Sequence, residues 1–144
     1  MMPHSERDIQ RDGVERLRQR WRDFYAPALR SKGYCVTNEM LSCIRYTELV
    51  ASAPEEKQAI IANAYAMGDS SGVPDLLVFL PRGHVVMMEV KSEKGRLSKK
   101  QDRCVARLRE MGHEVLIVRS IADMVRVMND IVEKMPERGT DDPC

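Results

Sequence analysis

Two almost entirely apolar stretches separated by three residues constrain the fold of this chain more than any other feature. "LLVFL" (76–80) and "HVVMMEVK" (84–91) flank "PRG", a tripeptide typical of a tight hairpin turn. Because both stretches are apolar at successive positions, both faces of each strand should be covered, as they are in central strands. The sequence therefore predicts a hairpin at the centre of a sheet that is flanked on both sides.

The patterns around this hairpin predict an α/β domain of layered architecture. The predicted elements are a helix over 5–30, a short strand at 34–40, helices over 39–50 and 55–67, a helix from Ser98 to Gly112, a strand over 114–118 and a last helix capped by Ser120. We expect one domain over residues 1–135, with a helical insertion at about 39–68 and a flexible polar tail at 136–144.

Two of the predicted helices carry an apolar stripe at helical spacing. In the helix over 5–30 the stripe consists of Val14, Leu17, Trp21, Phe24 and Ala28, and Pro27 should kink or end the helix. In the helix from Ser98 the stripe consists of Cys104, Val105, Leu108 and Met111. We expect these side chains to face the core.

The composition limits the classes of protein to which this chain could belong. With 144 residues, of which 43% are apolar and 31% charged, the chain has the composition of a globular domain. No apolar run approaches the roughly 20 residues that span a bilayer, and the N-terminus lacks the apolar centre of a signal peptide. The net charge of +1 means that any nucleic-acid affinity must come from a local patch. Four cysteines without metal spacing favour reduced thiols in a cytoplasm.

The hairpin register brings three charged residues together. If the turn is Pro81-Arg82-Gly83, Leu80 faces His84, and the same register places Asp75 opposite Glu89. Directly opposed residues share a face, with Cβ atoms about 4.5–5.5 Å apart, and Lys91 lies on the same face because side chains alternate. We therefore expect two carboxylates and an amine to converge at one end of the hairpin.

This set has the chemistry for metal-assisted hydrolysis of a phosphodiester. Two carboxylates so close repel one another unless a cation or a proton intervenes, and Mg²⁺ binds through one or two carboxylates while it keeps several waters. The bound ion would activate a water, and Lys91 would orient that water or neutralise developing charge. The simpler alternative is a turn aspartate with a strand-end salt bridge between Glu89 and Lys91.

These residues and those after them carry a family resemblance. "GVPDLLVF", "VVMMEVKSEKGRLSKKQ" and "LREMGHEVLIVRS" resemble the VRR-NUC (virus-type replication-repair nuclease) domain of the PD-(D/E)XK nuclease superfamily. Pro74-Asp75 corresponds to the PD element and Glu89-Val90-Lys91 to (D/E)XK. The resemblance covers 72–120. The chain departs from the family pattern at 36–71, where two predicted helices precede the PD strand, which puts the choice of substrate more than the chemistry in question.

The resemblance implies a restriction-endonuclease-like core, with a central mixed sheet flanked by helices, and a Mg²⁺- or Mn²⁺-dependent endonuclease acting on DNA. Asp75, Glu89 and the Val90 carbonyl would hold the metal, and Lys91 would position the nucleophile. Stand-alone members resemble homodimers that cut four-way (Holliday) junctions, whereas members within larger repair proteins act on flaps. The resemblance also implies a cytoplasmic protein of a bacterial or phage-infected cell. Such a protein would act on branched DNA and would need neither a nucleotide cofactor nor a membrane.

Two further site residues are suggested by both the resemblance and the local pattern. The family uses a glutamate on its first helix, which corresponds to Glu6 in "ERDIQ". On a helical wheel Leu17 lies about 20° from Glu6, and Phe24 lies on its azimuth, so Glu6 is the helix's acid on the core side. Gln101 would lie near the active site, although Ser98-x-x-Gln101 is also a capping-box pattern.

A run of basic residues suggests where DNA would bind. The loop and helix start after Lys91 contain Lys94, Arg96, Lys99 and Lys100. We expect them to form a phosphate-binding rim with salt-dependent affinity, although most basic runs are merely solvated faces. Two other functions stay open at this point: a DNA-binding module that retains the fold without turnover, and a restriction-type nuclease that cuts linear duplex at fixed sequences.

Overall fold

A mixed sheet between helices organises the protein. The computed structural model describes residues 5–39, 43–48 and 74–139. Its strands are β1 (Cys43–Arg45), β2 (Leu76–Leu80), β3 (His84–Val90) and β4 (Glu114–Val118), in the order β1-β2-β3-β4. Its helices are α1 (Glu6–Arg20), α2 (Ala26–Ser31), α3 (Lys99–Glu110) and α4 (Ile121–Lys134). The first two strand pairs are antiparallel and β3 pairs with β4 in parallel, which confirms the predicted α/β fold with a mixed sheet.

The predicted hairpin register is confirmed. Leu80 pairs with His84, and the ladder runs back to Leu76 opposite Met88. The chain reverses at Pro81–Gly83, where Arg82 and Gly83 have positive φ angles of 67° and 70°. Pro81 fixes its own φ and Gly83 adopts a positive φ freely, whereas Arg82 adopts a positive φ that is uncommon for a non-glycine residue. The three-residue length of the turn determines which face every strand residue occupies.

The alternation of side chains divides the core into two layers. Even-numbered residues of the hairpin, such as Leu76, Val86 and Met88, pack with α1 and α4. Leu77 and Met87, which are odd-numbered, pack with α3 through residues such as Leu108. Asp75, Glu89 and Lys91 are also odd-numbered, and they therefore belong to the α3 side of the sheet.

The first predicted helix is interrupted by a π-helical turn. Residues Trp21–Tyr25 form this turn, in which the Ala26 N–H donates to the Trp21 carbonyl, and α2 follows with Pro27 in its first turn. The extra residue per turn rotates the buried stripe, so Tyr25 is buried whereas Phe24 is 54% exposed. The expectation that Phe24 faces the core is therefore wrong.

Four other expectations are corrected. Residues 34–39 form no strand, because the carbonyls of Val36 and Thr37 accept hydrogen bonds from the Arg30 and Trp21 side chains at 3.2 and 2.9 Å. The helix predicted over 39–50 is wrong at Cys43–Arg45, which pairs with β2 and buries Cys43 and Ile44 in opposite layers. Met111 is 60% exposed because it follows the last turn of α3. Cys35 is disulfide-bonded, whereas Cys43 and Cys104 are free thiols.

Residues 46–48 are helical, in agreement with the predicted helix over 39–50, whereas the rest of the predicted insertion, including the helix over 55–67, lies outside the described residues. In the described ranges, no helix combines the length and the apolar character that crossing a membrane requires.

The two helices on one face of the sheet approach each other closely. A Cβ built on Gly13 of α1 would overlap the sulfur of Met124 on α4 and lie 2.9 Å from its methyl carbon. Glycine costs helix stability relative to alanine, so its place in the middle of α1 reflects this contact. The N-terminus of α1 lies at the end of the sheet where β3 finishes, since Glu6 accepts a hydrogen bond from the Ser92 N–H.

Candidate active site

Asp75 and Glu89 meet where β2 begins and β3 ends. The Asp75 carbonyl accepts the Tyr46 N–H at 2.9 Å, which continues the β1–β2 ladder. Asp75 Oδ2 accepts the Val90 N–H at 2.8 Å. The Asp75 and Glu89 carboxyl groups are within hydrogen-bonding reach of each other. The predicted convergence of the two acids is confirmed, and it results from the hairpin register.

Burial gives the pair unusual acid–base properties. Glu89 is 1% exposed, and its Oε2 is buried without a hydrogen-bond partner. Burial raises the pKa of Glu89 to about 8, with repulsion from the Asp75 carboxylate adding to the increase and the charge of Lys91 opposing it. Burial also raises the pKa of Asp75, while the Val90 N–H opposes this increase. Both shifts therefore favour retention of a proton by the buried pair when no cation is bound.

Lys91 and Gln101 form the third side of the site. Lys91 is 7% exposed; its Nζ lies 3.8 Å from Glu89 Oε1 and donates to Gln101 Oε1 at 2.8 Å. The Gln101 amide nitrogen donates to Glu89 Oε1 at 3.0 Å. The Lys91 N–H donates to the Val118 carbonyl at 2.9 Å, so β4 fixes its backbone. Gln101 thus contacts both the acid and the amine of the predicted catalytic set.

The capping box of α3 explains how Gln101 reaches the site. Ser98 caps the helix: its Oγ accepts the Gln101 N–H at 3.1 Å, and Gln101 Oε1 accepts the Ser98 N–H at 2.9 Å. The two interpretations of the Ser98-x-x-Gln101 pattern are therefore compatible, since one side chain caps the helix and contacts Lys91 and Glu89. The cap holds the Gln101 rotamer that the site requires.

Glu6 approaches from α1 on the other side. Its Oε1 accepts the Ser92 N–H at 3.4 Å, and its charge contributes to raising the pKa of both Asp75 and Glu89. The structure thus places Glu6 beside the carboxyl pair, as the resemblance implied, whereas the helical wheel indicated only that it faces the core side. Because Glu6 is hydrogen-bonded to the loop after Lys91, it lies at the edge of the cluster.

Arg119 also belongs to the site, although no role was predicted for it from the sequence. This residue follows β4, and its Nη1 donates to the carbonyls of Ser92, Glu93 and Gly95. A signal was available, because β3 and β4 were expected to be neighbours and residues that follow adjacent parallel strands lie at the same edge of a sheet. What could not be predicted was that the guanidinium turns toward the loop.

The predicted rim residues lie beside this cluster. Lys94 and Arg96 are exposed on the loop after Lys91, and Lys99 and Lys100 are exposed in the first turn of α3. Arg109, further along α3, instead donates to the Val115 carbonyl at 2.7 Å. The four rim cations thus lie at the start of α3, and the exposed Arg103, Arg107 and Arg109 continue the basic face along the helix.

The residues present fit a hard divalent cation. Asp75 and Glu89 supply carboxylate oxygens, of which Glu89 Oε2 lacks a partner. Since the N–H and C=O of a strand residue point to the same side and the Val90 N–H points to Asp75, the Val90 carbonyl is directed there too. Within 5–39, 43–48 and 74–139 no group of three or more His, Cys, Asp or Glu side chains could hold a metal. Two carboxylates with waters match the preference of Mg²⁺.

Comparisons with known proteins agree with this geometry. The family model for the VRR-NUC domain matches residues 13–122, a span that includes Asp75, Glu89, Lys91 and Gln101 but not Glu6. A solved structure described as a VRR_NUC domain protein has a similar fold, with a TM-score of 0.60 and 14% sequence identity over 98% of each chain. None of the curated proteins compared with the chain matches it.

Proposed function

Because the chain belongs to the VRR-NUC domain family, whose name denotes a nuclease, we propose that it is a metal-dependent endonuclease that hydrolyses phosphodiester bonds in branched DNA, four-way junctions above all. The observation that carries the proposal is the buried carboxyl pair of Asp75 and Glu89 with Lys91 3.8 Å from Glu89. Buried like charges cost stability, so a structural explanation for the pair is weak.

Asp75, Glu89 and the Val90 carbonyl would hold Mg²⁺ or Mn²⁺. When bound, such an ion supplies an activated water and stabilises negative charge on a phosphate. The chain itself contributes orientation: the Val90 N–H holds one oxygen of Asp75, and the Gln101 amide holds one oxygen of Glu89. Each carboxylate is thereby left with its other oxygen for the ion.

Lys91 has the geometry to act on the substrate or the attacking water. Its ammonium group is held by Gln101 and lies near Glu89, and an ammonium group has three N–H donors. A donor in a water-poor site stabilises developing negative charge more strongly than one in bulk solvent. We therefore assign Lys91 to the positioning of the nucleophile and to charge stabilisation.

The rim formed by Lys94, Arg96, Lys99 and Lys100 is proposed to bind the DNA backbone. The four side chains are exposed and lie beside the carboxyl pair in sequence and in the fold. Cations that neutralise phosphates bind without regard to base sequence and release counterions. A substrate recognised by backbone shape, such as a junction, suits this arrangement, and a homodimer would supply two sites for the two symmetry-related strands of a four-way junction.

The test is cleavage of a labelled four-way junction with and without Mn²⁺, together with a solution mass measurement. We expect metal-dependent cleavage that falls at least about 100-fold in Asp75→Asn and in Lys91→Met. Lys134→Ala is the matched control, since this lysine is 75% exposed at the far end of α4, and it should cut like the wild type.

The outcomes separate the alternatives. Binding of the junction without cleavage in any metal would indicate a non-catalytic DNA-binding module. Fixed cuts in linear duplex would indicate a restriction-type enzyme. Full activity in Asp75→Asn or Lys91→Met would remove the site assignment, and a monomeric mass in the presence of the junction would remove the homodimer.

A further inference from the structure

Arg119, the residue directly after β4, holds the loop that connects β3 to α3. Arg119 Nη1 donates to three carbonyl oxygens of this loop, at 2.9 Å for Ser92, 3.3 Å for Glu93 and 2.7 Å for Gly95. The loop also contains a turn in which the Gly95 N–H donates to the Ser92 carbonyl at 3.1 Å. Three carbonyls that point at one nitrogen form a built site for a cation, and Arg119 occupies it.

Glu6 restricts the same loop from the opposite direction. A Cβ on Gly95 would lie 2.9 Å from Ser92 Oγ and 3.0 Å from Glu6 Oε1. Both contacts are tighter than almost all Cβ contacts, so a larger residue at position 95 would require the Ser92 or the Glu6 side chain to shift. The loop is therefore confined between the Glu6 carboxylate and the Arg119 guanidinium.

The confined loop carries two of the four rim residues, whereas the positions of Asp75, Glu89 and Lys91 are fixed by hydrogen bonds to groups outside the loop. Lys94 and Arg96 are exposed on the loop and its continuation. Asp75 is held by the Val90 N–H, and Lys91 is held by the Val118 carbonyl and by Gln101. A change in Arg119 should consequently move the rim and leave the metal-binding residues in place.

We propose that Arg119 is a positioning residue for substrate binding, which acts through the loop Ser92–Gly95 to aim Lys94 and Arg96 at the phosphates of the DNA. The inference rests on the proposed function of the site. Arg119 itself contributes hydrogen bonds to carbonyls rather than a contact to the substrate.

A lysine elsewhere in the protein also binds three carbonyl oxygens, as Arg119 does. Lys32 Nζ donates to the carbonyls of Val132, Glu133 and Met135 at 2.8, 2.6 and 2.7 Å, at the C-terminal end of α4. An ammonium group can thus satisfy three converging carbonyls in this protein. Arg119→Lys should retain most of the function of Arg119, whereas Arg119→Met keeps the volume and removes every donor.

The experiment compares Arg119→Met, Arg119→Lys and the control Arg126→Met with the wild type. Arg126 lies on α4, its side chain is 74% exposed and its removal changes the net charge equally. For Arg119→Met we expect a KM for the junction about tenfold higher than that of the wild type, with kcat within about twofold. The slope of log affinity against log salt concentration should be smaller by about 1–2, and amide hydrogen exchange over residues 92–98 should be faster. Arg119→Lys should lie within about threefold of the wild type, and Arg126→Met should equal it.

The proposal is overturned by an unchanged KM in Arg119→Met, by a fall in kcat at constant KM, or by a lysine variant as defective as the methionine variant. A merely structural arginine would lower the melting temperature without changing KM or the salt slope. If the wild type fails to cut, the nuclease proposal is lost, while junction affinity measured in Ca²⁺ and hydrogen exchange of the loop still decide the role of Arg119.

Discussion

Removing the charge of Glu89 should make the metal-free protein more stable while it abolishes the proposed activity. The carboxyl group is 1% exposed and its pKa is raised to about 8, first by burial and then by Asp75. In Glu89→Gln the amide can accept from Gln101, as the carboxylate does, and can donate to Asp75, as the protonated acid does. The variant therefore keeps the contacts of the protonated state at every pH.

The sign of the pH dependence follows from the raised pKa. Between the ordinary value of 4.5 and about 8, the folded protein retains a proton that the unfolded chain has lost, so stability decreases as pH rises through this interval. Below pH 4.5 the contribution of Glu89 is fully present, and above about pH 8 it is lost. At about 1.4 kcal/mol per pH unit, the difference between the two pKa values corresponds to about 5 kcal/mol of unfolding free energy. This is a large part of the stability of an ordinary domain.

Thermal unfolding in EDTA from pH 5 to pH 8.5, followed by circular dichroism, measures the effect. Because the scan begins at pH 5, it covers about 4 kcal/mol of this change, and at about 2–4 °C per kcal/mol for a chain of this size the wild-type melting temperature should fall by about 8–16 °C more than that of Glu89→Gln. Glu110→Gln, which alters an exposed glutamate at the end of α3, should keep the wild-type slope. Adding Mn²⁺ at pH 8 should restore the wild type but not Glu89→Gln, because the cation replaces the proton between the two carboxylates.

Equal pH slopes in the wild type and Glu89→Gln would refute the reasoning, because they would show that Glu89 titrates as an ordinary carboxyl group. A wild type destabilised by Mn²⁺ would contradict the fit of the site to a hard cation.

Two further predictions concern the scaffold. Gly13→Ala should lower the unfolding free energy in urea by about 1–3 kcal/mol, because the overlap with Met124 outweighs the gain of about 1 kcal/mol in helix propensity; a more stable variant would contradict the close α1–α4 contact. Ser98→Ala and Ser120→Ala each remove an N-cap and should each cost about 1 kcal/mol. Only Ser98→Ala should also slow cleavage, since it removes one of the two capping-box hydrogen bonds of Gln101, the one from the Gln101 N–H to Ser98 Oγ; equal rates in the two variants would show that the cap does not position Gln101.

Local chemistry explains why much of the site could be predicted. The turn at Pro81–Gly83 sets the strand register, and side-chain alternation then places Asp75 opposite Glu89, with Lys91 on the same face. The capping pattern of Ser98 likewise predicts where α3 begins. These inferences hold because each depends on hydrogen bonds among residues close in the chain.

Other features depended on partners that are distant in the chain. The sequence around Cys43–Arg45 favours a helix, but the segment forms a strand because it pairs with β2 through backbone hydrogen bonds. Phe24 fits the apolar stripe by spacing, yet the π-helical turn that precedes Pro27 rotates it to the surface. In both cases tertiary packing overrode a local preference.

The amino-acid sequence by itself determined the hairpin, its register and hence the meeting of two acids and an amine, because strand alternation and turn geometry act over fewer than about 20 residues. Only the tertiary structure decided that Glu6 reaches Ser92 across 86 positions of the chain and that Arg119 turns toward the loop Ser92–Gly95. Such contacts form when separate layers pack against each other, and the free energy that directs them comes from burying the whole core rather than from any local pattern.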